Sequence, residues 1–352
     1  MCLTLYERIV DSMKRAKIQD IADSLQVSRV TVWKVFNNKE GVSDEMRRKV
    51  LECAAEMNYQ PSKNQDIDLP VLVKKQTLVS VVVSRPESSA FWIKIIHQLA
   101  EEFSNSDIGL MYTYLPGQIS EGYVLPKSLT DGSIQGIIIM NVYDKEMLQL
   151  LNDLPIPKVF LDIVSDMQIE ALKGDLLLLE GRDSIRDIVL DMVSKGRRSI
   201  GFIGDIKYAK TNMERYEGYV TAMHQCGLPI DSQICYTDSM TLNTYADTIE
   251  GFMNQLPKMP DAFVCVNDHA ANILVQYLES HGYQVPKDVA VSGYDDNNEF
   301  SYTKNLTTVQ VNNSLIGKRL AKQLLYRMEN MDDSYEVTYV RPKVIYRNST
   351  GY

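Results

Sequence analysis

Residues 17–38 read KIQDIADSLQVSRVTVWKVFNN, and their apolar pattern predicts the fold of the N-terminal part of the chain. Apolar residues recur at helical spacing in its first half, break at residues 26–28, and recur again in its second half. Ser28 is the predicted N-cap of the second helix, because its hydroxyl can accept a hydrogen bond from a first-turn N–H group. The predicted buried stripe of that helix consists of Val32, Val35 and Phe36. Two short helices joined by a tight turn predict a helix-turn-helix unit.

A third helix is predicted in GVSDEMRRKVLECAAEMNY, residues 41–59, with Ser43 as its N-cap. Its apolar positions repeat along one face, at Met46, Val50, Cys53, Ala54 and Met57. Three such helices enclose a core of about the minimum stable size. A further helix is predicted upstream, in an N-terminal extension of residues 1–16.

The second helix also has an outer face, opposite its buried stripe. Arg29 and Trp33 are four residues apart, as are Val30 and Lys34, so these four side chains share that face. A short basic helix of this kind fits the major groove of DNA, with its N-terminal residues at the base edges. The alternative interpretation is a solvated face on a purely structural three-helix unit.

Net charge limits where a polyanion could bind. The 352 residues carry a formal charge of −9, but residues 1–63 sum to +2 and the remainder to −11. The N-terminal segment is therefore the expected docking region for nucleic acid. The five cysteines are odd in number and form no C-x-x-C pair, which favours reduced thiols. No signal-peptide core or membrane-length apolar run is present, so we expect a cytoplasmic protein.

The pattern changes after residues 62–77, which lose periodicity, contain Pro70 and are interpreted as a linker. Short β-branched runs then alternate with helical stretches, as expected of strands buried on both faces of parallel sheets. Their number favours two α/β lobes, with a ligand bound in the cleft beyond the carboxyl ends of the strands. The predicted strands are 78–84, 108–114, 134–140, 157–163, 199–204, 261–267 and 288–294.

Several motifs together resemble the LacI/GalR (lactose and galactose repressor) family of bacterial transcription regulators. They are I-x-D-I-A-x-x-L-x-V-S-x-x-T-V-x-x-V-F-N followed by GVS and NYQP, then KGRRSIGFIG and VSGYDDN…LTTVQ. The resemblance implies an all-α helix-turn-helix headpiece at 17–61 and a hinge at 62–77. It also implies an α/β two-lobed core like periplasmic sugar-binding proteins at 78–352, which binds the effector and forms the homodimer.

The family's DNA-contacting positions transfer to this chain residue by residue. The resemblance implies base contacts for Arg29, Val30 and Lys34, phosphate contacts for Thr31, Asn37 and Ser43, and a DNA contact near the hinge for Tyr59. Trp33 departs from the small serine usual in the family. Its indole could pack on a sugar or on thymine methyl groups, or could be covered by the N-terminal extension.

The hinge departs further from the family pattern. Asp66 and Asp68 would oppose phosphates there, and Pro70 would end a hinge helix. Leu69 is the nearest candidate for the leucine that family members insert into the minor groove.

The effector site is likewise implied by resemblance. Phe91 and Trp92 match a paired aromatic that stacks on the ligand, and Asp162 matches a residue at the lobe crossover. The positions that hydrogen-bond ligand hydroxyls match Arg215, Asn267 and Asp295, types with several donors or acceptors. The structural alternatives remain open: Asp295 could cap a loop, and Phe91 could belong to the core.

An enzyme is not expected, because the chain has no G-x-G-x-x-G, Walker or G-x-S-x-G motif and its histidines lack metal-ligand spacing. No cofactor and no metal ion are expected. We expect a homodimeric repressor of carbohydrate-related genes that binds palindromic double-stranded operator DNA and no membrane. Its effector would be a sugar, sugar phosphate or nucleobase. The alternatives are a ligand-unresponsive DNA-binding protein and a sugar-binding receptor for uptake, which would have no use for residues 17–60.

Overall fold

The computed structural model of the chain describes residues 17–37, 39–57, 59, 77–84, 90–240, 244–297 and 303–351. The chain divides into two compact units, residues 1–76 and 77–352, which we call the headpiece unit and the core. The predicted helix in residues 1–16 lies outside the described residues. So do the hinge residues Asp66, Asp68, Leu69 and Pro70.

The headpiece unit contains three described helices: α1 (Ile18–Ser24), α2 (Arg29–Phe36) and α3 (Asp44–Glu56). Both predicted N-caps are confirmed. The Ser28 hydroxyl accepts a hydrogen bond from the backbone N–H of Thr31 at 3.1 Å, and Ser43 accepts one from Met46 at 3.3 Å. Capping of this kind satisfies backbone donors that the first helical turn leaves free.

The predicted apolar stripe of α2 faces the headpiece core. Its members pack against α1 and α3 in a cluster of Ile21, Ala22, Val32, Val35, Phe36, Val50, Cys53, Ala54 and Tyr59. The turn between α1 and α2 passes through Gln26, whose φ of 53° is left-handed. A left-handed φ costs energy at any residue with a Cβ atom.

The core consists of α/β elements in alternation. In chain order they are β1 (Leu78–Val83), α4 (Ala90–Ser104), β2 (Gly109–Tyr114), β3 (Gly136–Met140), α5 (Lys145–Asn152), β4 (Lys158–Leu161), β5 (Asp175–Leu179), α6 (Arg182–Ser194), β6 (Ile200–Ile203), α7 (Lys210–Gln225), α8 (Tyr245–Asn254), β7 (Ala262–Cys265), α9 (Asp268–Ser280), β8 (Ala290–Ser292), β9 (Thr308–Gln310), α10 (Asn313–Glu329), β10 (Val337–Val340) and β11 (Lys343–Ile345).

The first lobe is a six-stranded parallel sheet in the order β10-β5-β4-β3-β1-β2. The runs GIIIM in β3 and KVFL in β4 are buried throughout. Helices cover both faces, and α10 packs on α4. Uninterrupted apolar strands are what a sheet covered on both sides requires.

The second lobe has a three-stranded parallel sheet, β6-β7-β8. One face packs against α6 and α7, and the other packs against α8 and α9. A separate two-stranded sheet pairs β11 with β9 in antiparallel fashion. The prediction of parallel sheets therefore holds for the two main sheets, and the β9–β11 ribbon is an addition to it.

The chain passes between the lobes three times, after β5, between β9 and α10, and between β10 and β11. Four strands, β5, β9, β10 and β11, were not predicted from the sequence. The crossings between the lobes matter for the site, because the one from β9 to α10 brings residues 310–314 to the boundary between the lobes.

Charged side chains are buried at the amino ends of the first-lobe strands. Arg327 and Asp175, 2% and 1% exposed, form an ion pair with an N–O distance of 2.7 Å. The Nζ of Lys158 donates to the carbonyls of Asn152 at 3.1 Å and Leu154 at 2.6 Å. These groups fasten helix ends and loops to the sheet. None of the described helices is long and apolar enough to cross a membrane.

Candidate functional site

The outer face of α2 carries large side chains that the headpiece core does not use. Val30 is 60% exposed and Trp33 is 45% exposed. Arg29 is also exposed, and Lys34 is half-buried. The structure therefore presents the four predicted side chains on a surface with both cationic and apolar character.

Three other predicted contact residues have hydrogen-bonding roles in the headpiece itself. The Thr31 hydroxyl lies 2.8 Å from the Ser28 hydroxyl, at the start of α2. The Asn37 amide donates to the Trp33 carbonyl at 2.8 Å, at the end of the same helix. Ser43 caps α3. These bonds fix both ends of α2.

Tyr59 lies mainly in the headpiece core. Its ring stacks on Phe36 with centroids 4.9 Å apart, and the residue is only 9% exposed. Burial also raises the pKa of its phenol. Any DNA contact by Tyr59 is thus restricted to a small exposed edge.

Arg47 is a headpiece residue that the sequence analysis did not single out. Its guanidinium donates to the carbonyls of Val35 at 3.2 Å and Lys39 at 2.9 Å. Arginine in the first turn of α3 thereby ties α3 to the end of α2. A basic residue near free helix-end carbonyls is the signal that could have identified it.

In the core, a cavity of about 360 Å³ opens where the lobes meet. Of the predicted effector residues, only Phe91 and Asp295 line it. The lining that the sequence analysis missed consists of Lys94, Asp296, Asn297, Gln310, Val311, Asn312, Asn313 and Ser314. Most of these follow the end of a strand or begin α10, which is the signal that could have found them. The cavity has the size of a small-molecule site.

Asp295 follows β8 in a strained backbone conformation. Its φ is 112°, and Asp296 after it has a φ of 51°. The Asp295 N–H donates to the Val309 carbonyl at 2.9 Å. Burial raises the pKa of the Asp295 carboxyl to about 6, against the opposing effect of the Arg215 charge. Strained residues of this kind concentrate at functional sites.

A second carboxyl, that of Asp268, is hydrogen-bonded to this loop and to β9. It is fully buried and accepts hydrogen bonds from the Thr308 hydroxyl at 2.7 Å and the Asn297 N–H at 2.8 Å. Burial, together with the nearby charge of Asp295, raises the pKa of Asp268 to about 8.

Arg215 is 6% exposed and lies beneath the second-lobe surface. Its Nη1 donates to the Val266 carbonyl at 2.7 Å, and its guanidinium carbon is 3.6 Å from the centroid of the Tyr294 ring. Its buried Nε has no hydrogen-bond partner among the described residues. An unpaired buried donor lowers stability, and the Arg215 Nε–H remains able to donate a hydrogen bond to a ligand.

Asn267 and Trp92 have structural contacts and do not line the cavity. Asn267 is the N-cap of α9: its side-chain oxygen accepts from the Ala270 N–H at 2.9 Å. Trp92 packs against the first-lobe core and meets Phe91 edge-on, with ring centroids 5.0 Å apart.

Asp162 joins the two lobes at the crossover side. It follows β4 with a left-handed φ of 64°. Its carboxylate accepts hydrogen bonds from the hydroxyl and, at 3.3 Å, from the N–H of Thr211 in α7. Burial raises the pKa of this carboxyl. Asp162 therefore holds the second lobe's α7 against the end of a first-lobe strand.

Further interlobe contacts surround Asp162. The Tyr339 hydroxyl donates to the Glu214 carboxylate at 2.7 Å, and burial raises the pKa of Glu214. The rings of Tyr143 and Tyr208 lie with centroids 4.1 Å apart. On the crossover side, the two lobes are thus in contact through hydrogen bonds and a pair of aromatic rings.

Comparisons with known proteins agree with both units. The family model "Bacterial regulatory proteins, lacI family" matches residues 17–62, and "Periplasmic binding protein-like domain" matches residues 189–350. The HTH-type transcriptional regulator RegA of Clostridium saccharobutylicum is 28% identical over 95% of this chain and 98% of its own length. The HTH-type transcriptional repressor PurR of Pasteurella multocida is 25% identical over the same shares.

A solved structure, the transcriptional regulator CelR–cellobiose complex, shares the fold with a TM-score of 0.66 and 19% identity. The match covers 95% of this chain and 100% of that one. Both the signature of the headpiece and the architecture of the core thus lead to one conclusion: the chain joins a DNA-binding domain of the LacI family of bacterial regulatory proteins to a periplasmic-binding-protein-like core, and it is a transcriptional regulator.

Proposed function

We propose that the chain is a homodimeric repressor that binds a palindromic operator and responds to a small ligand held between the lobes of its core. The observation that carries this proposal is the interlobe cavity, which places Phe91 from the first lobe opposite Asp295 from the second. A ligand that contacts both lobes favours one orientation of them.

For DNA, we propose that Arg29, Val30 and Lys34 contact base edges. Arginine and lysine side chains on an exposed helix surface suit the acceptors of the major groove. The polar side chains at the two ends of α2 and at the start of α3 would contact phosphates, since hydroxyl and amide groups donate readily to phosphate oxygens. These are Thr31, Asn37 and Ser43.

For the ligand, we propose a carbohydrate bound by Asp295, which lines the cavity, and by Arg215, which does not line it but whose charge acts on the Asp295 carboxyl. A carboxylate and a guanidinium can together hold neighbouring hydroxyl groups, and the ring of Phe91 offers an apolar face. The four amide side chains of the cavity add donors and acceptors for further hydroxyls. Relatives named ribose operon repressor and the CelR–cellobiose complex support a sugar, whereas relatives named PurR support a nucleobase as the second candidate.

For the dimer, we propose the face formed by α4 and the edge strand β2. Ile93, Tyr112 and Tyr114 are 42%, 44% and 53% exposed there. Exposed apolar side chains of this size are typical of protein interfaces. Two-fold symmetry then matches the palindromic operator. We further propose that the protein acts in the cytoplasm, catalyses no reaction and needs no cofactor.

Two measurements on the full-length chain test the proposal. Repeated selection from a random duplex library should enrich one palindromic sequence. A thermal-shift panel of ribose, ribose 5-phosphate, cellobiose, hypoxanthine and guanine should contain a compound that raises the melting temperature, because a ligand bound only by the native state stabilises it. If the proposal holds, the same compound changes operator affinity, and the operator changes the affinity for the compound by the same factor, since coupling between two sites is reciprocal. Sequence enrichment without any stabilising ligand would instead indicate a ligand-unresponsive DNA-binding protein.

A further inference from the structure

We propose that Val30 and Trp33 form an apolar pair that reads the C5-methyl groups of thymine in the major groove of the operator. The inference rests on the proposed DNA-binding function of α2. It specifies the base feature that is recognised, the thymine methyl group, and gives a role in this recognition to Trp33, which departs from the family pattern.

The exposure of the two side chains is the first argument. Within α2, the apolar residues Val32, Val35 and Phe36 are at most 5% exposed, whereas Val30 and Trp33 are 60% and 45% exposed. Val30 and Trp33 are three residues apart, so they are neighbours on the helix surface. The core formed by the described headpiece residues does not include Val30 or Trp33, and their apolar area is exposed.

The surroundings of the pair identify that partner. Arg29 precedes it and Lys34 follows it, whereas the ion pairs of the described headpiece residues, Arg48–Glu52 and Lys49–Glu45, lie on α3. A cationic border around an apolar centre complements a surface that is anionic at its edges. In a DNA major groove the phosphates form the edges, and the thymine methyl group is the apolar feature of the floor.

The chemistry of the bases makes the assignment specific. Guanine, adenine and cytosine present only hydrogen-bonding groups in the major groove, whereas thymine adds a methyl group. Valine can make no hydrogen bond through its side chain, so it distinguishes bases only by contact with that methyl group. A neighbouring indole extends the contact over a second base pair.

The backbone of α2 is held firmly enough for such a contact to be selective. The Ser28 hydroxyl caps the first turn, and the Asn37 amide donates to the Trp33 carbonyl itself at 2.8 Å. Arg47 ties the following carbonyls to α3. Val30 and Trp33 therefore project from a helix whose two ends are both fixed.

Deoxyuridine substitution tests the inference without altering the protein. Replacing each thymine of the selected operator in turn by uracil removes one methyl group and leaves every hydrogen-bonding group in place. We expect affinity of the full-length wild type to fall about fourfold at each contacted position, the ratio that corresponds to ~0.8 kcal/mol per buried carbon group. The Trp33→Ser variant should bind the thymine and uracil operators equally at one such position, and Val30→Ala should do so at another.

The main competing contact is packing of the indole on a deoxyribose or a hydrogen bond from its N–H to a phosphate. In that case Trp33→Ser would weaken binding while uracil substitution in the wild type changed nothing, and the inference would be overturned. Methyl contact also predicts that Trp33→Ser leaves the slope of log affinity against log salt unchanged, because no phosphate charge is involved. Failure of the selection to enrich any sequence would refute the proposed function itself, whereas an enriched operator insensitive to uracil refutes only the thymine contact.

Discussion

Buried polar groups are hydrogen-bonded at the amino ends of the core's parallel strands, but several lack partners at the carboxyl ends. At the amino ends, Lys158, Asp175 and Arg327 are buried and completely paired: Arg327 alone also donates to the carbonyls of Asn330 at 3.0 Å and Asp333 at 2.7 Å. At the carboxyl ends, by contrast, buried polar atoms lack partners among the described residues, including the Arg215 Nε and the Asn313 side-chain oxygen.

Backbone strain is concentrated at the carboxyl ends, although among the described residues Asp107, before the amino end of β2, also has a left-handed φ of 55°. Asn141, Asp162, Asp295 and Asp296 all have left-handed φ angles, and all follow the carboxyl end of a strand. Strain and unpaired polar groups lower stability, and both are tolerated where a ligand later supplies the missing contacts. The amino ends provide stability, and the carboxyl ends retain binding capacity.

The largest effect is expected from breaking the amino-end ion pair. Arg327→Ala leaves Asp175 buried without its partner, and we expect the free energy of unfolding of the core to fall by about 3–5 kcal/mol. Chemical denaturation of the full-length chain measures this. Lys318→Ala is the matched control, because Lys318 lies on the same helix with a half-exposed side chain and only a 3.9 Å ion pair to Glu102. Equal costs for the two variants would contradict the division between the two ends.

A pH-dependent effect is expected from Lys158. Burial lowers its pKa from an ordinary 10.5 to about 8. Below pH 8 the amine is charged in both the folded and the unfolded state, so it contributes no change of the free energy of unfolding with pH. Between pH 8 and 10.5 the unfolded state binds the proton more strongly, so the free energy of unfolding should rise with pH by up to about 3 kcal/mol relative to Lys158→Met.

The control for this prediction is Lys145→Met, since Lys145 is largely exposed and pairs with Asp166 at 2.6 Å. Its denaturation curves should track those of the wild type across the same pH range. If Lys158→Met tracked the wild type as well, the Lys158 amine would not be titrating in this range.

At the carboxyl ends, substitutions should affect ligand binding more than stability. Arg215→Ala and Asp295→Ala should each weaken effector binding by about 1.5–3 kcal/mol, the scale of a charged hydrogen bond, while operator binding persists. Calorimetry and gel shifts on the full-length dimer measure the two properties. Because burial raises the pKa of Asp295 to about 6, effector affinity should also fall as the pH drops through 6, and Asp295→Asn should remove that dependence.

Asp247→Ala provides the control, because Asp247 is an exposed carboxylate on α8. It should leave both affinities unchanged. Normal effector binding by correctly folded Arg215 and Asp295 variants would remove these residues from the proposed ligand site.

The smallest effect is expected at a strained position with no assigned ligand role. Gln26→Gly relieves the left-handed φ in the α1–α2 turn and should stabilise the headpiece by about 0.5–1 kcal/mol. Hydrogen exchange of the α1 and α2 amides in the full-length chain should then slow about two- to fivefold. Gln19→Gly, within α1, should have the opposite effect. A destabilised Gln26→Gly variant would show that the glutamine side chain makes a needed contact.

Local sequence signals predicted the elements that depend on local physics. The three headpiece helices, the Ser28 and Ser43 caps and the stripe of Val32, Val35 and Phe36 all occur where periodicity and capping chemistry place them. The same holds for seven of the nine strands in the two parallel sheets. By contrast, β10 was missed because none of its residues is fully buried, so its alternation between exposed and half-buried side chains gives a weak pattern. Its partner β5 also lies about 160 residues earlier in the chain.

For the sites, the family motifs in the sequence specify which residue types are available at the helix face and the cleft. Which of these side chains are accessible to a partner depends on tertiary contacts. Tyr59 lies in the headpiece core, Asn267 caps a helix, and Asp162 binds Thr211 in the other lobe. Arg327 reaches Asp175 across 152 positions. Burial and pairing depend on contacts between distant segments, and the periodicity of one segment contains no information about the segment that will pack against it.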